Sequence, residues 1–368
     1  MSGGVDSTVS AALLKKHGYP VEGVYMRNWD ANDELGECPG EAEWRQVQDI
    51  CDRLGIPCFK VDLVKAYWNQ VFAQGLEAFS RGETPNMDVA CNREIKLGVL
   101  FDQLSLNDPF PGPVSSYLVT GHYARTLQVG GPHGKYQLLQ GVDPNKDQSY
   151  YLSQVPQQAL ARTIFPLGHL YKTQVKDLAR EMGFPDVAAQ KESMGICFIG
   201  KRRDFKDFLA GYIDDRPGDI IAPDGRVLGQ HQGIHTRTIG QSVRLTIDST
   251  KWVVAHKDIE RNVLRVVAGS HHPALYKIKV DIRQCHWVSG SPPHLPPGKL
   301  LQGQCRYHQS MSACRITPHP SKSGVMQVEF VYPQRGPTPG QVLAVYDGEV
   351  CLGGGVICQV NLSTMTHP

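Results

Sequence analysis

Val9, Ala12 and Leu13 fall on one face of a helix that Gly18 ends, and the apolar run from Val21 to Met26 follows as a buried strand. The alternation repeats. A helix from about Glu41 to Leu54, a strand around Cys58 to Val61, a helix from about Ala66 to Arg81, another after Asn92 and a strand at Tyr117 to Thr120 come next. Strands alternating with helices of this length predict a parallel sheet covered on both faces, with ligands at the carboxyl ends of its strands. The stretch LNDPFPGPVSS before the last strand reads as a surface insertion. From about Asp204 the period shortens: PGDIIAPDGRVLGQHQG and the residues up to Val266 are short strand-like runs between turn residues, a small β-rich module. From about Ala274 to Val360, alternating strands parted by SGSPPHLPPGK and YPQRGPTPG predict a compact β-barrel. The expected division is 1–203, 204–270 and 274–360.

Composition narrows the classes. A chain of 368 residues is too long for one ordinary domain and predicts two or three, each with its own core. No apolar run approaches the ~20 residues of a membrane helix, so no membrane partner is expected. Lys and Arg number 38 against 36 Asp and Glu, so a nucleic acid would have to be met by local basic patches. The 10 cysteines contain no Cys-x-x-Cys pair, and their spacing fits neither a zinc ribbon nor a small disulfide scaffold. Reduced thiols are expected.

Two stretches carry candidate chemistry. In SGGVDS, Gly3 and Gly4 permit a tight turn, and the helix start that follows offers unpaired N–H groups to an anion such as phosphate. Asp6 and Ser7 are also ordinary capping residues, and the Walker pattern with its Lys is absent. In GETPNMDVACNREIK, Cys91 sits near a helix start with Arg93 and Lys96 after it, a setting that favours thiolate, and Asp88 is close enough in sequence to move protons. Read alone, Cys91 could equally be a buried core cysteine. The same holds for Cys197 in QKESMGICFIG.

SGGVDS matches the PP-loop of the ATP pyrophosphatases. Together with the Asp88 and Cys91 string, Cys197, YMRNWD, TGHYAR, DPNKDQSYYL, FPLGHLYKTQVKDLA, GQHQG and DGEVCLGGGVI, the chain resembles the tRNA-specific 2-thiouridylase family along nearly its whole length. The resemblance implies an α/β PP-loop domain with a parallel sheet, then a small β-rich central domain and a C-terminal β-barrel that contacts tRNA. It implies ATP at Ser2, Gly3, Gly4, Val5, Asp6 and Ser7, with Met26 and Gly121 near the nucleoside. Cys91 and Cys197 resemble the catalytic pair and Asp88 the acid–base carboxylate. The target uridine is implied near Asn86, Met87 and Asp88, and further tRNA contacts at His122, Lys146, Asp147, Gln148, Arg306, Tyr307 and Gln341. Met87 departs from the family, which usually has Pro there. A PP-loop motif normally follows a hydrophobic strand, so the chain is expected to have a truncated start.

The implied reaction is adenylation of the uracil C2 oxygen by ATP with Mg2+, followed by displacement of AMP by sulfur. The sulfur arrives as a Cys197 persulfide from a cysteine desulfurase or sulfur-relay protein. Cys91 attacks the inner sulfur or otherwise releases it, leaving a disulfide for a reductant to open. Rival readings are a PP-loop amide-forming synthetase, which leaves both cysteines unexplained, an iron–sulfur thiolase, which needs clustered cysteines, and a tRNA-binding protein without turnover. The Pro-rich insertion favours a mitochondrial protein, with a bacterial, cytoplasmic one as the alternative.

Overall fold

The computed structural model describes residues 1–29, 39–106, 116–131, 134–191, 208–245, 249–296 and 298–360. Helix Val5–Lys16 leads to strand Gly23–Arg27, helix Pro39–Leu54 and strand Cys58–Asp62, and the two strands pair in parallel. A second parallel pair joins Leu118–Val119 to Thr163–Ile164. The expected parallel sheet is thus seen as two separate pairs among the described residues. Met1 lies beside the first pair: its amino group donates to the Val24 carbonyl, and its side chain packs against two apolar clusters.

The helix expected from Ala66 to Arg81 runs from Val64 to Ser80 through a widened, π-helical stretch, Trp68–Phe72. The next helical segment, Met87–Ala90, passes into a longer π-helical stretch, Cys91–Val99, and then into Leu100–Leu106.

Beyond residue 208 the chain is mostly strand. The central module is a five-stranded sheet in which Val263–Ala268 runs parallel to Gly218–Ile221. The C-terminal part is a closed barrel of six strands, in the order Tyr276–Trp287, Met326–Arg335, Ser312–Pro318, Leu301–Gln304, Val342–Asp347 and Val350–Val360. The last pairs back with the first, which leaves no open sheet edge.

One connection runs across the boundary expected near 203. The hairpin Ala124–Val129 and Lys135–Gln140, early in the chain, pairs with barrel strand Val350–Val360 through Leu138 and Leu139. A single apolar cluster accordingly holds Val89, Leu97, Leu138, Tyr150 and Leu152 together with Val342, Ala344 and Tyr346. The first and last parts of the chain therefore share this cluster in addition to clusters of their own, such as that of Val9, Ile50 and Leu167 in the first and that of Val280, Leu301 and Phe330 in the barrel. Their contact is also closed to water at its polar atoms: the Tyr150 hydroxyl donates to the Val342 carbonyl at 2.8 Å, and the hydroxyls of Ser149 and Tyr346 are 3.2 Å apart.

Leu138 is fully buried where the hairpin meets the barrel. Leu138→Ala is expected to destabilise the protein by about 3 kcal/mol, and to lower protection of amides in both 84–106 and 342–357 when hydrogen exchange is followed by mass spectrometry. Loss of protection on one side alone would mean that the two parts are not one cooperative unit.

Candidate active site

The loop Ser2 to Ser7 is shaped by backbone needs. Gly3 adopts φ +77°, and Gly4 sits in an extended conformation at the cap of helix Val5–Lys16, offering no capping side chain of its own to the helix start. The first-turn N–H groups are thereby left to an anion. A Cβ placed on Gly4 would meet only the Ser2 hydroxyl, at 3.6 Å, so the space over the loop is open. Gln46 fixes the loop from behind, donating to the Gly3 carbonyl at 3.0 Å. The Ser2 and Ser7 hydroxyls lie 3.3 Å apart on the exposed side. Val5 points the other way, into the core, so only its backbone is available to a ligand. Gly121 packs directly on the loop, where a Cβ would lie 2.9 Å from the Asp6 carbonyl carbon. These features fit a polyphosphate.

Asp6 is not a cap. Both its carboxylate oxygens accept from Lys172 Nζ at 2.7 Å, and Oδ1 also accepts from the Tyr123 hydroxyl at 2.8 Å. Lys172 is buried, and its own N–H donates to Asp143 at 2.9 Å at the start of helix Lys172–Glu181. Lys172 and Tyr123 were inside strings that carry the family resemblance, yet nothing in the sequence marks them as partners of a residue up to 166 positions away.

The segment bearing Asp88 and Cys91 begins at Asn86, whose Oδ1 accepts from Val89 N at 3.1 Å and caps Met87–Ala90. Cys91 then opens the π-helical stretch, which breaks at Leu97 (φ −107°, ψ 15°). Such widened turns recur at functional sites. Cys91 is buried in a cluster with Met87, Tyr67 and Phe72, against which Met26 also packs, so the residue expected near the nucleoside and the candidate thiol share one wall. Met87 faces Gly75, within 3.1 Å of the position a Cβ would take. Burial raises the pKa of Asp88, and the nearby Lys96 charge opposes that rise. A carboxyl pushed towards its neutral form suits proton transfer.

Lys96, one of two basic neighbours of Cys91 in the sequence, links two expected site residues. Its charge is felt by both Asp88 and His122. Burial, helped by Lys96, holds the His122 imidazole down to about 3, so it is neutral, with Nδ1 2.8 Å from the Thr120 hydroxyl. Asn92, next to Cys91, donates from Nδ2 to the Asp88 backbone carbonyl at 3.0 Å, while its buried Oδ1 has no partner among the described residues. Cys197 lies outside the described residues.

The residues expected at tRNA divide. Tyr307 packs against Tyr151 with ring centroids 4.3 Å apart and planes tilted by 39°, and Tyr151 feels the Asp88 charge. Tyr150, beside them, is ringed by the same aromatics, its centroid 6.1 Å from that of Tyr307, and feels the charge of Arg306. The barrel residues Arg306 and Tyr307 are thus brought to the helix that carries Asp88. Asp147, in contrast, is engaged internally: it accepts from Gly141 N at 2.9 Å, Ser149 N at 3.0 Å, the Ser149 hydroxyl at 2.9 Å and Gln140 Nε2 at 3.2 Å. Gln148 Oε1 accepts from Tyr123 N at 3.1 Å, and half-buried Lys146 belongs to the same turn. Gln341 donates to the Thr84 carbonyl at 2.7 Å, and Arg306 to Gly336 O and Thr338 Oγ1, each at 3.0 Å.

Three family descriptions match successive parts of the chain: tRNA methyl transferase HUP domain over residues 1–201, tRNA methyl transferase PRC-barrel domain over 206–268, and Aminomethyltransferase beta-barrel domain over 277–357. Their order is the α/β, β-rich and barrel order expected above. The chain is similar to the tRNA-specific 2-thiouridylase MnmA of Halalkalibacterium halodurans, with 42% identity over 98% of this chain and 94% of that protein. The proteins of the same name from Chromohalobacter salexigens (43%, over 97% and 91%) and Alkaliphilus oremlandii (42%, over 98% and 96%) are similar to the same degree. No helix among the described residues is long and apolar enough to cross a membrane.

Two outcomes follow from these contacts. Lys172→Met should lower stability by about 2 kcal/mol, because Asp6 loses its charged partner, and Tyr123→Phe by about 1 kcal/mol; denaturant midpoints read both, and equal midpoints for Lys172→Met and the parent would remove the pair from the account. His122 stays neutral in the fold down to about 3, whereas in the unfolded chain it takes up a proton below its ordinary value of 6.5. Its contribution is therefore present above 6.5 and lost as pH falls from there towards 3. His122→Asn should lose less stability than the parent between neutral pH and about pH 4, as urea titrations at the two pH values would reveal; parallel losses would refute the assignment.

Proposed function

The chain belongs to the tRNA-specific 2-thiouridylase family, and on that premise we propose that it replaces the C2 oxygen of the wobble uridine of tRNA with sulfur, using ATP. The observation that carries this reading is similarity over nearly the whole chain to proteins of that name, with the phosphate loop and the Asp88 and Cys91 segment both in place. The family description speaks of methyl transfer, but an open phosphate loop and a cysteine near a half-buried carboxyl serve activation and sulfur transfer.

In this reading the Ser2 to Ser7 backbone holds the ATP phosphates, and Met26 and Gly121 flank the nucleoside. ATP adenylates the uracil C2 oxygen and releases pyrophosphate, turning a poor leaving group into AMP. Asp88 moves the proton at the reacting base. Cys197 carries the persulfide supplied by a cysteine desulfurase or relay protein. The Cys91 thiolate attacks the inner Cys197 sulfur, hydrosulfide departs to displace AMP, and a Cys91–Cys197 disulfide remains for a reductant. Mg2+ belongs with the triphosphate. Both oxygens of Asp6 are taken by Lys172, so Asp6 is not a ready ligand for the ion. His122, Lys146, Asp147, Gln148, Arg306, Tyr307 and Gln341 are the proposed tRNA-side residues, with Asn86 and Met87 at the target base. The Pro-rich insertion supports a mitochondrial address. The bacterial relatives favour the cytoplasmic alternative.

Pyrophosphate release on unmodified tRNA and 2-thiouridine in the product tRNA test the proposal together. Gly4→Val should abolish both, since a branched side chain would stand where backbone must meet phosphate. Cys197→Ser should still release pyrophosphate yet neither accept persulfide nor thiolate. Cys91→Ser should accept persulfide and stall. If both serine variants thiolate tRNA at the parent rate, the two-cysteine route is wrong.

A further inference from the structure

The turn that leads into the catalytic helix is gripped by the central module, a part of the chain to which the proposed reaction assigns no group. Helix Ala73–Ser80 ends in a left-handed turn: Gly82 adopts φ +77°, Gly82 N donates to Phe79 O at 2.8 Å, and Glu83 N donates to Ala78 O at 3.0 Å. The Gly82 carbonyl accepts instead from Lys257 Nζ, at 2.9 Å. Lys257 lies on strand Trp252–Asp258 of the central module and is only 7% exposed. Two isoleucines of the same module close on the same glycine: a Cβ at 82 would stand 3.2 Å from Ile259 Cδ1 and 3.4 Å from Ile234 Cγ2. One step further on, the hydroxyls of Thr84 and Thr238 are 3.5 Å apart. The Asn86 cap that starts the helix of Asp88 and Cys91 comes four positions after Gly82.

The lysine is the unexpected member of this contact. Burial holds its pKa down to about 8, and among the described residues no carboxylate pairs with it. An ammonium taken out of water for one neutral acceptor adds little net stability, and an apolar side chain could fill the space without that desolvation. What the ammonium supplies is direction: a charge-assisted bond to a single carbonyl fixes where that peptide stands. We propose that the central module sets the position of the catalytic helix, with Lys257 as a positioning residue that acts through the Gly82 carbonyl and with Ile234 and Ile259 as the apolar seat of the turn. Since misplacement by about 1 Å can cost a reaction about a hundredfold, a support of this kind governs turnover more than binding. The proposal rests on the reading of Asp88 and Cys91 as the reacting groups.

The test uses Lys257→Met, which keeps the length and loses the donor, and Ile259→Ala, which removes one wall of the seat from a side chain more than half exposed, so that the module still folds. Hydrogen exchange in the full chain without tRNA reads the support directly. Amides in 82–91 should exchange about fivefold faster in Lys257→Met, the equivalent of one lost hydrogen bond, and should move in the same direction, by less, in Ile259→Ala. Amides in 263–268, within the module's own sheet, should keep the parent rates in both. In thiolation assays kcat should fall in Lys257→Met while KM for tRNA and the salt dependence of tRNA binding stay at parent values. Parent-like exchange of 82–91 in both variants overturns the proposal. Acceleration in 263–268 as large as in 82–91 overturns it too, since the module as a whole would then have loosened, and so does a raised KM with unchanged kcat. Should the parent protein form no 2-thiouridine, the functional reading fails while the exchange measurement still decides the support.

Discussion

Val89 and Leu97, on the segment that carries Asp88 and Cys91, are buried in the same cluster as Val342, Ala344 and Tyr346 of the barrel. Each side chain of this kind contributes about 1.5–3 kcal/mol by leaving water, so separating the two parts would expose more apolar surface than a marginally stable fold can spare. The polar groups at this contact are bonded to one another, Tyr150 to Val342 and Ser149 to Tyr346. A catalytic helix seated this way has its orientation set by the barrel as much as by its own domain.

Against that frame of apolar packing, the site handles its two carboxylates in opposite ways. Asp6 is met by a buried ammonium and a phenol hydroxyl, a direct pairing that keeps a charge tolerable near the phosphate loop. Asp88 instead sits where burial raises its pKa, with Lys96 acting only as a moderating charge. The first arrangement holds a loop in shape, and the second favours the protonated form. His122, kept neutral by burial and by the same lysine, adds no positive charge between them.

The three-part order was legible because hydrophobic period is a local property: helix and strand alternate up to the middle of the chain, and short strands follow. The phosphate loop was legible because Gly3 has a backbone reason to be glycine. What the sequence hid lies between distant positions. Lys172 and Asp6 have no local pattern that joins them, and a glutamine at 341 gives no sign that its amide meets Thr84. One apolar cluster and one strand pairing, Leu138 with Cys351, reach across the expected boundary near 203, and they join residues more than two hundred positions apart in the chain. Conversely, Asp147 and Gln148 look like surface residues in a string and are organisers of a turn in space.

The π-helical stretch that begins at Cys91 alters the angular arithmetic of its side chains. In an α-helix, positions five apart point about 140° away from each other, whereas hydrogen bonds closing from i to i+5 bring such positions back into line. Cys91 and Lys96 are five apart. The widened turn therefore changes the side of the axis that Lys96 takes relative to Cys91, and trimming the stretch by one residue to restore α-geometry would rotate everything downstream by about 100°. An insertion-sized irregularity, invisible to any periodicity of 3.6, thus works as an angular shim that decides which charges share a face with the sulfur.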